Sequence, residues 1–189
     1  MADLLNENNL KHRLILSGLK ELEKHGIKDF SLRRVASDAQ VSCAAPYRHF
    51  KNKDELVCAI LEYIKDDWFL IASQISQVFD NDYPSQIKEL CASCVKFWIA
   101  NGNFLSVLFL IQSTTDPTHK KVLKEFDTPV INAIQSHCRI KGFSTEKSII
   151  LEYAVCSLIY GSIMSITKEE NDSQTVIQNM KNTIQQLLV

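Results

Sequence analysis

The chain has 189 residues, 46% of them apolar and 23% charged, with a formal net charge of −1. That composition supplies buried cores for one or two small domains and excludes a disordered chain. No uninterrupted apolar run reaches the roughly 18 residues of a membrane span. The opening Met-Ala-Asp-Leu-Leu-Asn-Glu has no basic stretch leading into an apolar one, so a cytoplasmic protein without a membrane partner is expected. Five glycines and four prolines are sparse punctuation for a sheet protein. With apolar residues spaced at three and four, they predict an all-α fold of about nine helices.

Leu10, Ile15, Leu19 and Leu22 form the apolar stripe of a first helix, which His25-Gly26 ends. Ser31 caps a short helix carrying Leu32, Val35, Ala36 and Ala39, and a tight connection follows at Gln40-Val41. Ser42 is expected to cap a second short helix from Cys43 to about Phe50. Asn52 with Glu55 makes a capping-box-like start to a longer helix with the stripe Leu56, Ile60, Ile64, Ile71, Ile75 and Phe79.

Asn81 to Ser85 is a break, and Ile87, Leu90, Cys91, Cys94, Phe97 and Trp98 then mark a helix to about Asn101. Phe104 to Gln112 reads as a short apolar helix, and Asp116-Pro117 as the start of a segment to Arg139, interrupted at Thr128-Pro129. Gly142 ends it. Ser144 caps a helix to about Lys168, and Thr175 to Leu188 is a terminal amphipathic helix.

Charge is spread unevenly. Residues 1–65 carry net +2 and residues 66–189 net −3. Between Lys28 and Lys53, six basic residues face only Asp29 and Asp38. A basic head on an acidic, apolar body suits an anionic partner.

Two short helices joined by a three-residue turn are the sequence form of a helix-turn-helix. Val35, Ala36, Val41 and Pro46 fall at inward positions, leaving Cys43, Ala44, Ala45, Tyr47 and Arg48 as the outward face of the second helix. That face is slim enough at its start for a major groove, and Tyr47, His49, Lys51 and Lys53 flank it to meet phosphates.

The stretch Phe30-Ser31-Leu32-Arg33-Arg34-Val35-Ala36, then Val41-Ser42, then Tyr47-Arg48-His49-Phe50 with Lys53 and Leu56, resembles the DNA-binding domain of TetR-family transcriptional regulators. The resemblance covers about residues 10–56. It implies a helix-turn-helix domain over residues 1–52 and an all-α ligand-binding and dimerisation body over residues 53–189. It further implies a homodimer that represses at a palindromic double-stranded operator until a small molecule binds. Tyr47, His49 and Lys53 match the family's phosphate contacts, as do Ser31 and Arg33 or Arg34. Ser42, Cys43, Ala44, Ala45 and Arg48 fall in the remaining DNA-facing stretch. Gln40 stands where the family has glycine, which implies a left-handed residue strained by about 1 kcal/mol.

In the body, Trp68, Phe97, Trp98, Phe104, Phe109 and Tyr153 are candidate linings of a pocket for an apolar or aromatic effector. Ala154, Ser157, Gly161 and Ser165 form a small-residue stripe. With Ile177, Met180 and Ile184 of the last helix, they are the expected dimer interface, where the resembled family dimerises. No catalytic motif, cofactor loop or metal-spaced ligand set is visible, so no enzyme, cofactor or metal is expected. Most of the six cysteines read as reduced and buried. Two alternatives stay open: a thiol- or metal-responsive DNA-binding sensor using Cys43 or Cys91/Cys94, and a helical small-molecule-binding protein without a DNA function.

Overall fold

The computed structural model describes residues 2–101, 117–167 and 172–189. Among them are nine α-helices and no strand: α1 (Ala2–His25), α2 (Leu32–Asp38), α3 (Pro46–His49), α4 (Lys53–Val78), α5 (Tyr83–Ala100), α6 (Pro117–Glu125), α7 (Thr128–Lys141), α8 (Thr145–Thr167) and α9 (Ser173–Leu187). The segment expected to form a helix over 104–112 lies outside the described residues, as does Asp116. The chain divides into two compact units, Met1–Asp66 with Asn103–Leu123, and Asp67–Gly102 with Lys124–Val189. The division falls within α4.

The first unit is built on α1, whose register differs from the expected one. Its buried face is Leu14, Gly18 and Leu22 with Ser17 and Glu21 beside them, while Leu10, Ile15 and Leu19 are half-buried. Gly18 explains the shift. A Cβ there would meet Ile60 Cδ1 at 2.8 Å, so the bare glycine lets α1 lie close against the first half of α4. Gly26, at φ 68°, ends α1 with its N–H on the Leu22 carbonyl at 2.8 Å. At the start of α4, Asn52 Oδ1 accepts the Glu55 N–H at 2.9 Å, and Glu55 reaches back to the Lys51 N–H at 2.6 Å, close to a capping box.

The second unit packs α5 against α7, α8 and α9. The predicted stripe of α5 is buried at Ile87, Leu90, Cys91, Cys94 and Trp98. In α4 the buried line runs Trp68 and Ala72, whereas Ile71 is exposed and Ile75 only half-buried. Asp127, beside Pro129, separates α6 from α7, and Gly142 ends α7 at φ 67°. Ser144 Oγ accepts the Lys147 N–H at 3.2 Å at the start of α8. Asp172 caps α9 through the Thr175 N–H at 2.8 Å. Where the chain ends, His137 Nε2 lies 3.0 Å from the Leu188 carbonyl, and the Lys147 ammonium sits 3.5 Å above the Phe143 ring.

Ile177, Met180 and Ile184, expected at a dimer interface, are buried within the chain itself, where α9 packs on α5 and α8. Their apolar stripe closes this unit's own core, each side chain contributing about 1.5–3 kcal/mol on burial.

Candidate nucleic-acid interface

Ser31 caps α2, its Oγ accepting the Arg34 N–H at 3.5 Å. At the other end the chain turns sharply. Gln40 has φ 55°, its N–H bonds to the Ser37 carbonyl at 3.1 Å, and the Val41 N–H bonds to the Ala36 carbonyl at 3.0 Å. This is a Schellman ending with glutamine in the left-handed position that glycine favours. Val35 and Ala36 are fully buried beneath it.

The second short helix begins later than the spacing predicts. Its first helical residue is Pro46, and residues 42–45 form a tight turn closed by the Ala45 N–H on the Ser42 carbonyl at 2.9 Å. Pro46 has no N–H to give, which suits the first position of a helix but not its interior. The N-cap is therefore Ala45 rather than Ser42. The same turn rotates Ala45 inward, leaving it 7% exposed and removing it from the base-facing set. Ser42, Cys43, Ala44, Tyr47 and Arg48 remain exposed, with Tyr47 at 60%, and His49 is half-exposed beside the Phe50 ring.

Of the basic residues from Lys28 to Lys53, Lys28, Arg33, Arg34, Arg48 and Lys51 are exposed and Lys53 is half-buried. Arg34 and Lys53 are held by the protein. Arg34 Nε donates to Glu21 Oε1 at 2.7 Å and its Nη2 to the Asp29 carbonyl, and the hydrogen bond to Glu21 raises the guanidinium pKa. Lys53 Nζ donates to the Ile27 carbonyl, lies 3.5 Å from the Lys28 carbonyl, and sits 5.9 Å from the Phe30 ring centroid. Glu21 also accepts the Ser31 N–H at 3.1 Å. At the far end of α2, Arg13 donates to the Ala39 carbonyl, and Lys20 lies 3.6 Å from Asp38. A hydrogen bond from Ser17, then the Lys20 charge, lowers the Asp38 pKa. Both ends of α2 are thus clamped to α1.

In the second unit, Trp68, Phe97 and Trp98 do come together, with Phe126 completing the group. Ring centroids are 5.8 Å apart for Trp68–Phe97 and Phe97–Trp98, and 5.0 Å for Trp98–Phe126. Trp68 is wholly buried and its Nε1–H donates to the Phe126 carbonyl at 2.9 Å. Tyr153 is not among them. It is 77% exposed on α8, because the inward positions of that helix are Leu151, Val155, Ile159 and Ile163. Phe104 and Phe109 lie outside the described residues.

Residues 14–60 match the sequence profile of bacterial regulatory proteins of the tetR family. This segment is therefore similar to the TetR-family N-terminal domain. The fold of the chain is likewise that of TetR-family regulators. It is similar to a TetR-family transcriptional regulator from Streptomyces coelicolor at 19% identity, covering 95% of this chain and 88% of that one with a TM-score of 0.74. It is also similar to the regulator FadR of Bacillus subtilis, solved with stearoyl-CoA, at 11% identity, 94% and 97% coverage and a TM-score of 0.71. The multidrug binding protein EbrR, solved with ethidium, matches at 16% identity, 94% and 97% coverage and a TM-score of 0.71. The matched family is one of bacterial regulatory proteins.

Within residues 14–60, sequence reasoning located the caps Ser31 and Asn52 and the turn, but misplaced the cap of α3 at Ser42 and missed Glu21. The signal that could have found it is a pair of polar residues, Ser17 and Glu21, four apart on an otherwise apolar helix face. Cys43 is the exposed thiol of the domain, while Cys91 and Cys94 of α5 are buried. Burial raises the pKa of both thiols and takes that of Cys156 to about 12, conditions that suppress thiolate chemistry. No group of three metal-ligating side chains occurs among the described residues. Nearby, the Tyr160 hydroxyl donates to Asp127 at 3.1 and 3.2 Å, and burial raises the Asp127 pKa.

On α8, Ser157 and Gly161 are exposed, Ala154 and Ser165 half-buried. Around them Ile149, Ile150, Tyr153, Tyr160 and Met164 are exposed apolar or aromatic side chains. The helix is long and apolar enough to cross a membrane by length and composition, with only 28% of its most apolar window buried.

Proposed function

We propose that this protein is a cytoplasmic, ligand-responsive repressor that binds a palindromic operator as a homodimer. The observation that carries the reading is the match to the TetR-family N-terminal domain, with Ser42, Cys43, Ala44, Tyr47 and Arg48 exposed on one surface beside the turn. The small side chains at the start of that surface admit close approach to base edges, and Arg48 supplies a fork for guanine. Ser31, Arg33, Tyr47 and His49 meet phosphates, and Lys53 and Arg34 hold the frame from which they do so. We divide the chain functionally into a DNA-binding domain over 1–52 and an effector and dimerisation body over 53–189.

A single head reads one half-site, so two copies are needed to grip a palindrome. The uncovered apolar face of α8 supports dimerisation there, with Ser157 and Gly161 at the point of closest approach. The effector we propose is apolar or aromatic. The similar structures solved with ethidium and with stearoyl-CoA support that class.

A mobility-shift assay tests the reading, using duplexes from the DNA flanking the protein's own coding region. A sequence-selective complex that weakens steeply with salt is expected. Affinity equal to that for random duplex at the same salt would overturn it.

A further inference from the structure

A groove of about 440 Å³ opens between α4, α5 and α7, and no charged side chain lines it. Its apolar wall includes Phe69 and Ala133, and its polar groups include Ser73, Ser76, Asn132 and Gln86. Gln86 is the unusual member. It is only 7% exposed, its backbone N–H is bonded to the Asp82 carbonyl, and its side-chain amide has no protein partner among the described residues. A buried amide left without a partner is costly, so a structural role does not account for it. Ser73 and Ser76 donate their hydroxyls to the Leu70 and Ala72 carbonyls of their own helix, which leaves oxygen lone pairs for the groove. Gln86 offers both a donor and an acceptor.

We propose that this groove is a binding site for an uncharged ligand carrying an apolar or aromatic body and an amide-like donor–acceptor pair, which Gln86 recognises. The volume is that of ordinary small-molecule sites. The absence of charge from the lining disfavours carboxylates and ammonium ions, whose desolvation nothing there offsets. The proposal deepens the ligand-responsive reading and rests on it for its regulatory meaning. Its test uses no DNA, so failure of one is distinguishable from failure of the other.

Acetanilide is a suitable neutral probe, with benzoate and benzylammonium as charged controls, each titrated into the full chain and followed by the side-chain amide signals of Gln86 and Asn132 in nitrogen-15 spectra. Acetanilide should shift both signals saturably and bind more tightly than either charged control. Gln86→Leu should weaken it about fivefold or more. Ser73→Trp, at an exposed position of the lining, should abolish binding without changing the helical circular-dichroism spectrum. The ligand-free Gln86→Leu protein should melt no lower than wild type, because no protein hydrogen bond is lost. No saturable binding of acetanilide, equal affinity in Gln86→Leu, or a lower melting temperature in that variant would each overturn the proposal.

Discussion

The Glu21 carboxylate, 7% exposed, holds Arg34 through Nε at 2.7 Å and takes the Ser31 N–H at 3.1 Å. One acidic side chain on α1 therefore fixes both the first residue of α2's cap and the basic residue that follows it. Arg34 keeps its charge, but its guanidinium is held by Glu21 and the Asp29 carbonyl rather than free to reach a phosphate.

That pairing separates two neighbouring arginines. Arg33→Ala should lower the slope of log affinity against log salt by about one unit. Arg34→Ala should leave the slope nearly unchanged while weakening binding, since it strands the Glu21 carboxylate and loosens α2. Operator titrations at several salt concentrations check both, with equal slope changes counting against the clamp.

Gln40 in the left-handed region gives a simple stability prediction. Gln40→Gly should stabilise the protein by about 1 kcal/mol and raise its melting temperature by roughly 2–4 °C. Calorimetry of the two proteins decides it, and a destabilised glycine variant would contradict the strain.

Gly18 gives the opposite sign. Gly18→Ala places a Cβ 2.8 Å from Ile60 Cδ1 and should cost about 1–3 kcal/mol. Ile60→Val removes that terminal carbon, so the double variant should lose less than the sum of the two single losses. Urea denaturation of the four proteins gives the coupling, and strict additivity would mean the two residues do not meet.

Among the described residues, apart from the neighbouring backbone of α8 itself, nothing lies within 4 Å of a Cβ placed at Gly161. Gly161→Trp should therefore fold with unchanged helix content yet sediment as a monomer at micromolar concentration and bind operator poorly. A dimeric Gly161→Trp protein would move the proposed interface off this face of α8.

Asp127 sets a pH dependence. Its folded pKa is raised by burial, so the native state holds a proton that the unfolded chain releases at lower pH. Stability is then full below the ordinary aspartate range and declines as pH rises through the raised value. Asp127→Asn should flatten that decline and stabilise the protein at neutral pH. Melting curves from pH 3 to pH 7 (about one unit apart) measure it; a decline unchanged in the variant would assign it to another group.

Local signals carried the sequence reading furthest. Ser31, Gly26, Asn52, Gly142 and Ser144 mark helix ends by rules that act within four residues, and each end lies where its rule places it or within one residue. Partners distant in the chain were not legible. The stripe Ile177, Met180 and Ile184 announces that something covers it, but not whether that is α5 of the same chain or a second copy. Tyr153 shows the converse, since an aromatic letter on an apolar helix does not say which face it occupies. Pro46 was visible, yet its effect on the preceding turn, and so on Ala45, depends on a missing N–H three residues beyond Cys43.

Trp68 carries one more consequence. Its indole proton is enclosed at zero exposure and bonded to the Phe126 carbonyl. It can trade with deuterium only when the packing around it parts. That single resonance is a built-in clock for how often the second unit opens, read without any label and at a site remote in sequence from the turn at Gln40.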